Sequence, residues 1–296
     1  MHGPPAVTHK GPVTEPEGSA MPDPMPQSEY WNGEVGERWA RMQDALDTVF
    51  APLTAALVQA AAARPGERVL DIGCGCGETT LMTADAVAPG GSATGLDLSR
   101  PMLARARTRT PEAAPVTWIE ADAQITELPP VHDVVISRFG VMFFDESRAA
   151  FANLRRALKP GGRIVLLCWQ GLPDNPWVAV PREAVLRVAP APEPPAPGAP
   201  GPFRFGEAGA LAGLLAEAGF TAVREQAVTR GLTLGRDREE AARFALTVGP
   251  VSALLRDLDE ATRMRAREAV IAALPPTEPV VLGAACWLVS GTNPAK

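Results

Sequence analysis

The chain has 296 residues, of which 46% are hydrophobic, and it carries 34 acidic against 28 basic side chains for a net charge of -6. At roughly 100 to 200 residues per domain, this length predicts one large or two small domains with an ample core. The acidic balance disfavours a nucleic-acid partner, because it repels a phosphate backbone. No segment approaches the roughly 18 apolar residues of a membrane helix, and the N-terminus has no apolar signal core, so we expect no membrane partner and a cytoplasmic location.

The cysteines give no metal-ligand pattern. Cys74, Cys76, Cys168 and Cys286 lack the paired spacing of a zinc site. Without an export signal, a reducing compartment is expected. We therefore predict no bound metal, and the composition gives no indication of the oligomeric state.

The N-terminal segment has two parts. Residues 1–27 are rich in glycine and proline and poor in aliphatic side chains, so they cannot offset the entropy lost on ordering, and we expect a disordered tail. Residues 28–64 are expected to form a helical lid, since apolar residues from Gly36 to Arg64 recur at three- and four-residue steps. Pro52 is expected to kink or split that helix.

Strand and helix patterns alternate over residues 65–170. Strands are predicted in ERVLDIG, SATGLDL, VTWIEAD, HDVVIS and GGRIVLLCW, with helices in ETTLMTADAV, SRPMLARARTR and SRAAFANLRRAL. Ser99 is expected to cap the second of these helices, with Pro101 in its first turn. This alternation predicts right-handed crossovers and a mostly parallel sheet covered by helices on both faces.

The pattern breaks over residues 171–205, a passage dense in proline. Its long run APAPEPPAPGAPGP can neither donate to a strand ladder nor continue a helix, so we expect a proline-rich flap insertion. The core is expected to resume over residues 206–235. A helical cap follows over 236–278, and the last strand lies in 279–296.

A glycine-rich loop follows the first strand of the core. In VLDIGCGCGETT, a buried strand leads to Asp71 and then to Gly73, Gly75 and Gly77 before a helix begins. Such a loop is either an ordinary strand-to-helix turn or a place where a ligand approaches the backbone without a Cβ in the way. Glu78 stands where the dinucleotide fingerprint has its third glycine, so NAD or FAD fits poorly.

Two acidic residues end the following strands. Asp97 ends the second strand and Asp122 follows the third, so both lie at the carboxyl edge where open α/β sheets bind ligands. At the position of Asp97, a carboxylate can accept both hydroxyls of a ribose. The loop and these two carboxylates together favour a nucleoside ligand over a structural turn.

The motifs VLDIGCGCGETT, GLDLS, EADAQ and LKPGGRI, in this order, closely resemble those of class I S-adenosylmethionine-dependent methyltransferases, particularly the ubiquinone and menaquinone C-methyltransferase branch. The resemblance covers residues 65–170 and extends more weakly to YWNGEVGERWARM, SRFGVMFF, NPW and CWLV. It implies a Rossmann-like fold with a seven-stranded, mostly parallel sheet, an N-terminal helical segment and a helical, proline-rich cap. It also implies S-adenosylmethionine as the cofactor.

The resemblance further implies roles at the matching positions. The methionine end of the cofactor would lie on Asp71 and the glycine loop, the ribose on Asp97, and the adenine amino group on Asp122. The full set of implied cofactor residues is Tyr30, Asp71, Gly73, Cys74, Gly75, Gly77, Asp97, Leu98, Met102, Asp122, Ala123, Gln124, Ser137 and Phe139. Arg138 would border the methionine carboxylate and the sulfonium beside Ser137 and Phe139.

Methyl transfer from a sulfonium is an in-line displacement, so positioning can supply most of the acceleration without a metal. Histidine would be the usual base, but His2 and His9 lie in the tail. His132 is expected to be a solvated turn residue at the opposite edge of the sheet. Tyr30 and Arg138 remain as candidate catalytic residues, although Tyr30 could equally pack on the cofactor and Arg138 could make a structural hydrogen bond.

Aromatic residues follow the fourth and fifth strands. Phe143, Trp169 and Trp177 are predicted to line a substrate pocket, whereas Val141 and Phe144 are expected in the core. We expect biosynthetic methylation of a small, largely hydrophobic quinone-, polyketide- or terpenoid-like molecule, with carbon favoured over oxygen or nitrogen. The main alternative is an S-adenosylmethionine-binding protein that catalyses another reaction, such as a cyclisation.

Overall fold

The computed structural model describes residue 3, residues 25–194, residue 196 and residues 198–295. The tail expected over residues 1–27 therefore lies almost wholly outside the described residues. The first helix begins at Gln27.

The centre of the molecule is a seven-stranded sheet with the strand order β3-β2-β1-β4-β5-β7-β6. β1 to β5 run parallel, whereas β7 is antiparallel to both β5 and β6. The expected Rossmann-like, mostly parallel sheet is confirmed. The strands are β1 (Arg68–Ile72), β2 (Ser92–Asp97), β3 (Val116–Glu120), β4 (His132–Arg138), β5 (Leu158–Trp169), β6 (Thr221–Gly235) and β7 (Val280–Thr292).

Apolar residues bury both faces of the central strands. In β1, Val69 and Leu70 are both fully buried and belong to different core clusters. Successive side chains of a strand point to opposite faces, so these clusters form separate layers above and below the sheet. Such near-continuous apolar runs are typical of parallel strands covered on both sides.

Helices α1 and α2 precede α3, and eight more follow. None of the helices in the described part of the chain combines the length and apolar character needed to cross a membrane. The helices are α1 (Gln27–Asn32), α2 (Glu34–Arg41), α3 (Gln43–Ala61), α4 (Glu78–Val87), α5 (Arg100–Arg109), α6 (Ser147–Ala157), α7 (Pro176–Leu186), α8 (Ala210–Glu217), α9 (Arg238–Thr247), α10 (Gly249–Ala253) and α11 (Glu260–Ala273).

The break in the N-terminal helix falls at Met42 rather than at Pro52. A kink or a split was expected at Pro52; α3 continues through it, so the split is wrong. The neighbouring side chains Phe50, Leu53 and Leu57 are buried in the core. Their packing outweighs the hydrogen bond that proline removes from a helix interior.

The region expected to be an insertion or flap, residues 171–205, contains a helix that the sequence pattern did not indicate. α7 occupies residues 176–186, with Pro176 in its first turn and Pro181 inside. Proline is favourable at the first helical position, since its missing N–H has no partner there. Trp177 and Val178 bury this helix against the core. The other described residues of the region form a short 3₁₀ turn at Leu172–Asp174 and otherwise neither helix nor strand.

His132 is buried rather than solvated. Only 6% of it is exposed, because it begins β4 opposite Leu158 of β5. Its Nδ1 lies 3.1 Å from the carbonyl oxygen of Ala157. Burial lowers the pKa of His132 below its usual value, so the folded protein favours the neutral ring.

This buried histidine predicts a loss of stability at mildly acidic pH. Since the folded pKa lies below the 6.5 of an exposed histidine, the unfolded chain binds the proton more readily. The contribution to the free energy of unfolding should be full above that value and fall as the pH drops below it, by at most about 1.4 kcal/mol per pH unit. His132→Asn, which keeps a donor for the Ala157 carbonyl, should lack this loss. Urea unfolding of both proteins at about pH 7.5 and about pH 5.5 measures the difference, and equal losses would contradict the assignment.

Candidate functional site

A large crevice opens at the carboxyl ends of β1, β2 and β4. Its empty space, including the part that is open to solvent, is about 1640 Å³. The walls come from the glycine loop, the strand ends, the N-terminal helices and the residues of α7 and α10. The crevice is therefore bounded both by the ligand-binding edge of the sheet and by the helices packed above it.

The glycine loop forms the floor of the crevice. Gly73, Gly75 and Gly77 all have positive φ, at +63°, +56° and +87°, a conformation that residues with a Cβ rarely adopt. A Cβ on Gly73 would lie 2.7 Å from Cα of Gly140 in the neighbouring turn. Gly73 and Gly75 line the crevice, whereas Gly77 packs on Trp118 behind it.

Asp97 is held in place by the backbone around it. Its Oδ2 accepts a hydrogen bond from the Gly75 amide at 2.7 Å, and its Oδ1 accepts one from the Ser99 amide at 2.8 Å. Each carboxylate oxygen can accept a second bond. Burial raises the pKa of Asp97, and the residue lines the crevice wall.

Asp122, the second carboxylate predicted at the strand ends, lines the crevice together with Asp97. Asp122 accepts from the Gln124 amide at 2.8 Å, and the Gln124 side chain reaches back to it. Ala123 and Gln124 line the crevice beside it, and Leu98 and Met102 complete this wall. The structure therefore brings Asp97 and Asp122 to one crevice, as the sequence predicted.

Asp71 lies behind the loop, outside the crevice wall. Its Oδ2 accepts from the hydroxyls of Thr79 and Thr80, both at 2.6 Å, so it fixes the first turn of α4. Its Oδ1 has no hydrogen-bond partner among the described residues. Burial raises the pKa of Asp71 to about 6.

Ser137 also lies outside the wall. It donates to the carbonyl of Ile72 at 2.7 Å and joins β4 to β1. Asp71, Gly77 and Ser137 are thus the three implied cofactor residues that are absent from the lining. They support the loop from behind.

Arg138 lines the crevice but is paired inside the protein. Its Nη1 contacts Glu78 Oε2 and Thr54 Oγ1, and the side chains of this ion pair are 15% and 13% exposed. Burial raises the pKa of Glu78. The pair links β4, α4 and α3, and removing one partner of a buried pair typically costs about 3 to 5 kcal/mol. The sequence did not predict the pairing with Glu78. This pairing neutralises the positive charge of Arg138, which the resemblance placed beside the methionine carboxylate.

The two loop cysteines are buried in the crevice wall. Burial raises the pKa of Cys76 to about 12 and that of Cys74 well above its usual value. Their thiols therefore stay protonated, and a protonated thiol is a poor nucleophile and a poor metal ligand.

The N-terminal helices α1 and α2, called the lid below, pack on the crevice wall that contains Asp97, Leu98 and Asp122. The resemblance assigns these residues to the cofactor, so this side is called the cofactor wall. Asn32 donates to the Leu98 carbonyl at 3.0 Å and accepts from the Arg100 amide at 2.9 Å. The Ser99 hydroxyl donates to the Trp31 carbonyl at 2.7 Å. These contacts place Tyr30 in the crevice wall. The resemblance pointed to Tyr30 of YWN but not to Trp31 and Asn32, which fasten the lid.

The opposite wall is aromatic. Phe139 stacks on Trp169 with ring centroids 4.1 Å apart, and Trp177 lies 5.0 Å from Trp169. Phe50 contacts Trp177 edge to face at 5.4 Å; nothing in the sequence distinguished it from the core residues of its helix. Phe143 also lines the crevice.

The two residues expected in the core behave differently. Val141 is fully buried away from the crevice, whereas Phe144 is buried and also lines it. The three predicted substrate residues, Phe143, Trp169 and Trp177, all reach the crevice wall. The structure therefore brings the acidic and aromatic walls together in one cavity.

Comparisons with known proteins agree with this geometry. A family model described as a methyltransferase domain matches residues 69–162. Nocamycin O-methyltransferase of Saccharothrix syringae is 34% identical over 206 residues, which cover 64% of this chain and 72% of that protein. The chain belongs to the class I S-adenosylmethionine-dependent methyltransferases.

Other relatives match over a shorter stretch. The ubiquinone/menaquinone biosynthesis C-methyltransferase UbiE of Ectopseudomonas mendocina is 36% identical over 126 residues, 41% of this chain. The match spans about half of that relative, 49% of its length. The crystal structure of the cyclase SpnF superposes with a TM-score of 0.54 over 92% of this chain and 99% of its own, at 17% identity, which establishes the fold alone.

S-adenosylmethionine is the cofactor of this methyltransferase, and the observed crevice fits it. Asp97 has acceptor capacity left for hydroxyl groups beyond its two backbone donors. The floor at Gly73 and Gly75 has no side chains to fill the space. Carboxylate and aromatic walls suit a ligand that carries ammonium and sulfonium cations.

The lid contacts generate a prediction about Ser99, which both caps α5 and fastens the lid. Ser99→Ala should lower the free energy of unfolding by about 1 kcal/mol and weaken S-adenosylhomocysteine binding by about threefold to tenfold. Asp237→Ala, which removes the matching cap of α9, should lower stability alone. Urea unfolding and calorimetric titration test both variants. Equal affinities of the two variants would mean that the lid contact does not support the cofactor.

Proposed function

We propose that this protein transfers the methyl group of S-adenosylmethionine to a small, largely hydrophobic biosynthetic metabolite of the quinone, polyketide or terpenoid type. Carbon is the favoured acceptor atom, ahead of oxygen or nitrogen. The observation that carries the proposal is one continuous crevice with carboxylates on one wall and stacked aromatic rings on the other. This arrangement suits a polar, cationic donor facing an apolar acceptor.

The carboxylate wall is proposed to bind the nucleoside. Asp97 would accept from the ribose hydroxyls and Asp122 from the adenine amino group, with Ala123 and Gln124 beside the ring. Leu98 and Met102 would pack on the adenosine, and Gly73, Cys74 and Gly75 would lie under the methionine end. The support is that all of these residues line the same crevice.

Arg38 is the better candidate for the methionine carboxylate. It lines the crevice, and it forms no ion pair within the part of the chain that the structure describes. Its helix α2 packs on α5, on the cofactor side. Arg138 is instead assigned to positioning, because Glu78 already holds it. Tyr30, on the lid, would cover the cofactor from the mouth.

The catalytic contribution of the chain is then mainly positioning and exclusion of water. The bound cofactor supplies an electrophilic methyl group on a cationic sulfur. Phe139, Trp169 and Trp177 form an apolar surface that holds a flat acceptor in line with that methyl group. The lid, fastened at Trp31 and Asn32, closes the cofactor wall against water.

The names of two relatives support a small biosynthetic metabolite as the substrate. One acts on carbon in ubiquinone and menaquinone biosynthesis, and the other is named for O-methylation of nocamycin. The preference for carbon rests on the resemblance to the quinone branch.

An assay with methyl-labelled S-adenosylmethionine tests the function. Candidate quinone-, polyketide- and terpenoid-like acceptors should yield labelled product and S-adenosylhomocysteine in equal amounts. Asp97→Asn should weaken S-adenosylhomocysteine binding, since it loses one charge-assisted acceptor, whereas Asp85→Asn on the exposed face of α4 should not. Conversion without release of S-adenosylhomocysteine would favour a cyclisation instead. Thermal stabilisation by NADH and none by S-adenosylhomocysteine would contradict the proposal.

A further inference from the structure

One charge in the crevice has no role in the proposed function. The five charged residues of the wall are Arg38, Asp97, Asp122, Arg138 and Arg256. Asp97 and Asp122 are assigned to the nucleoside, Arg38 to the methionine carboxylate, and Arg138 is paired with Glu78. Arg256 remains.

Arg256 lies on the acceptor side of the mouth. It follows α10, which packs against α7, the helix that carries Trp177. Within the described residues, no carboxylate oxygen lies within ion-pair distance of its guanidinium. Asp259, three residues further along the chain, is engaged in capping α11 through the Thr262 amide.

The backbone at Arg256 is held by a second arginine. Arg263 donates to the carbonyls of Leu255 at 3.1 Å and Arg256 at 2.8 Å. The position of the Arg256 backbone is therefore fixed, although its side chain is exposed. A guanidinium carried on this anchored backbone at the mouth of an apolar pocket attracts an anionic group on the ligand.

The wall also has few groups that could remove a proton from the acceptor. Its non-arginine titratable residues are Tyr30, Cys74, Cys76, Asp97 and Asp122. Burial keeps both thiols protonated by raising their pKa, while both carboxylates lie on the cofactor wall. Tyr30 belongs to the lid on that same side. The described aromatic wall therefore holds no carboxylate or imidazole, so an acceptor bound there must be nucleophilic as it arrives.

We infer that the methyl acceptor binds as a conjugated oxygen anion, such as a phenolate or the enolate of a 1,3-dicarbonyl compound, and that Arg256 is its counter-charge. This inference rests on the proposed function. A carbon or oxygen electron pair of the anion forms the bond to the methyl carbon, while the carbon–sulfur bond breaks and its pair stays on sulfur. The anion and the sulfonium cation thereby give a neutral methylated product and a neutral thioether, and no proton is transferred in this step. Where a phenolate is methylated at carbon, the neutral product is a dienone, which becomes the phenol when the ring proton moves to oxygen through solvent.

A matched pair of probes tests the inference. 2-Hydroxy-1,4-naphthoquinone is ionised at neutral pH, whereas its methyl ether cannot ionise. Titration calorimetry on protein saturated with S-adenosylhomocysteine should show that the wild type binds the hydroxyquinone more tightly than the ether. Arg256→Gln should weaken binding of the hydroxyquinone by about threefold to tenfold and leave the ether and S-adenosylhomocysteine nearly unchanged.

Three control variants locate the effect. Arg243→Gln, on an exposed face of α9 outside the crevice, should bind every probe like the wild type. Arg38→Gln should weaken S-adenosylhomocysteine and retain the preference for the hydroxyquinone. Tyr30→Phe should also retain that preference; its loss in this variant would make the tyrosine hydroxyl the partner of the anion and contradict the assignment to Arg256.

The failures of the two proposals are distinguishable. Equal affinities for the two probes, or an equal loss for both in Arg256→Gln, would overturn the inference while S-adenosylhomocysteine still bound. A wild type that bound no S-adenosylhomocysteine would instead contradict the proposed function.

Discussion

The hydrogen bond from the Gly75 amide to Asp97 joins the two parts of the cofactor wall. It is 2.7 Å long and forms because the loop after β1 turns through residues with positive φ, which presents an amide to the end of β2. The other oxygen of Asp97 accepts from Ser99, whose hydroxyl holds the lid at Trp31. One series of contacts thus runs from the glycine loop through the half-buried carboxylate of Asp97 to the lid, so the position of each depends on the others.

The distribution of charge explains how one crevice can serve two different ligands. On one side lie the half-buried carboxylates of Asp97 and Asp122, which we propose face the positively charged donor. Asp71 supports the loop from behind without reaching the wall. The ion pair between Glu78 and Arg138 joins α4 to β4 and, through Thr54, to α3. The pair therefore holds α3 and α4 against the sheet. The acceptor side is aromatic, and Arg256 supplies its single charge within the described residues.

Much of this fold and part of the site were predictable from local sequence patterns. The strands, the cap at Ser99 and the glycine loop depend on residues close together in the chain. Asp97 and Asp122 could be placed because the carboxyl ends of parallel strands meet at one edge of the sheet. Each of these predictions follows from periodicity or from the conformational preference of one residue type.

The wrong or missing predictions depended on tertiary packing. Pro52 and Pro181 lie inside helices because burial of their neighbours outweighs a lost backbone hydrogen bond. His132 is buried because Leu158 pairs with it across the sheet. The partner of Arg138 is 60 residues away in the chain. No sequence window contains both members of such a pair, so the neutralised arginine and the free cation at Arg256 became visible only in the fold.

A crystal structure of the protein with S-adenosylhomocysteine tests the central claim most directly. The account predicts that the ribose hydroxyls lie within hydrogen-bond distance of Asp97 while Gly75 and Ser99 keep their bonds to it, and that the adenine amino group lies against Asp122. A nucleoside bound elsewhere, or an empty crevice at saturating concentration, would contradict the account.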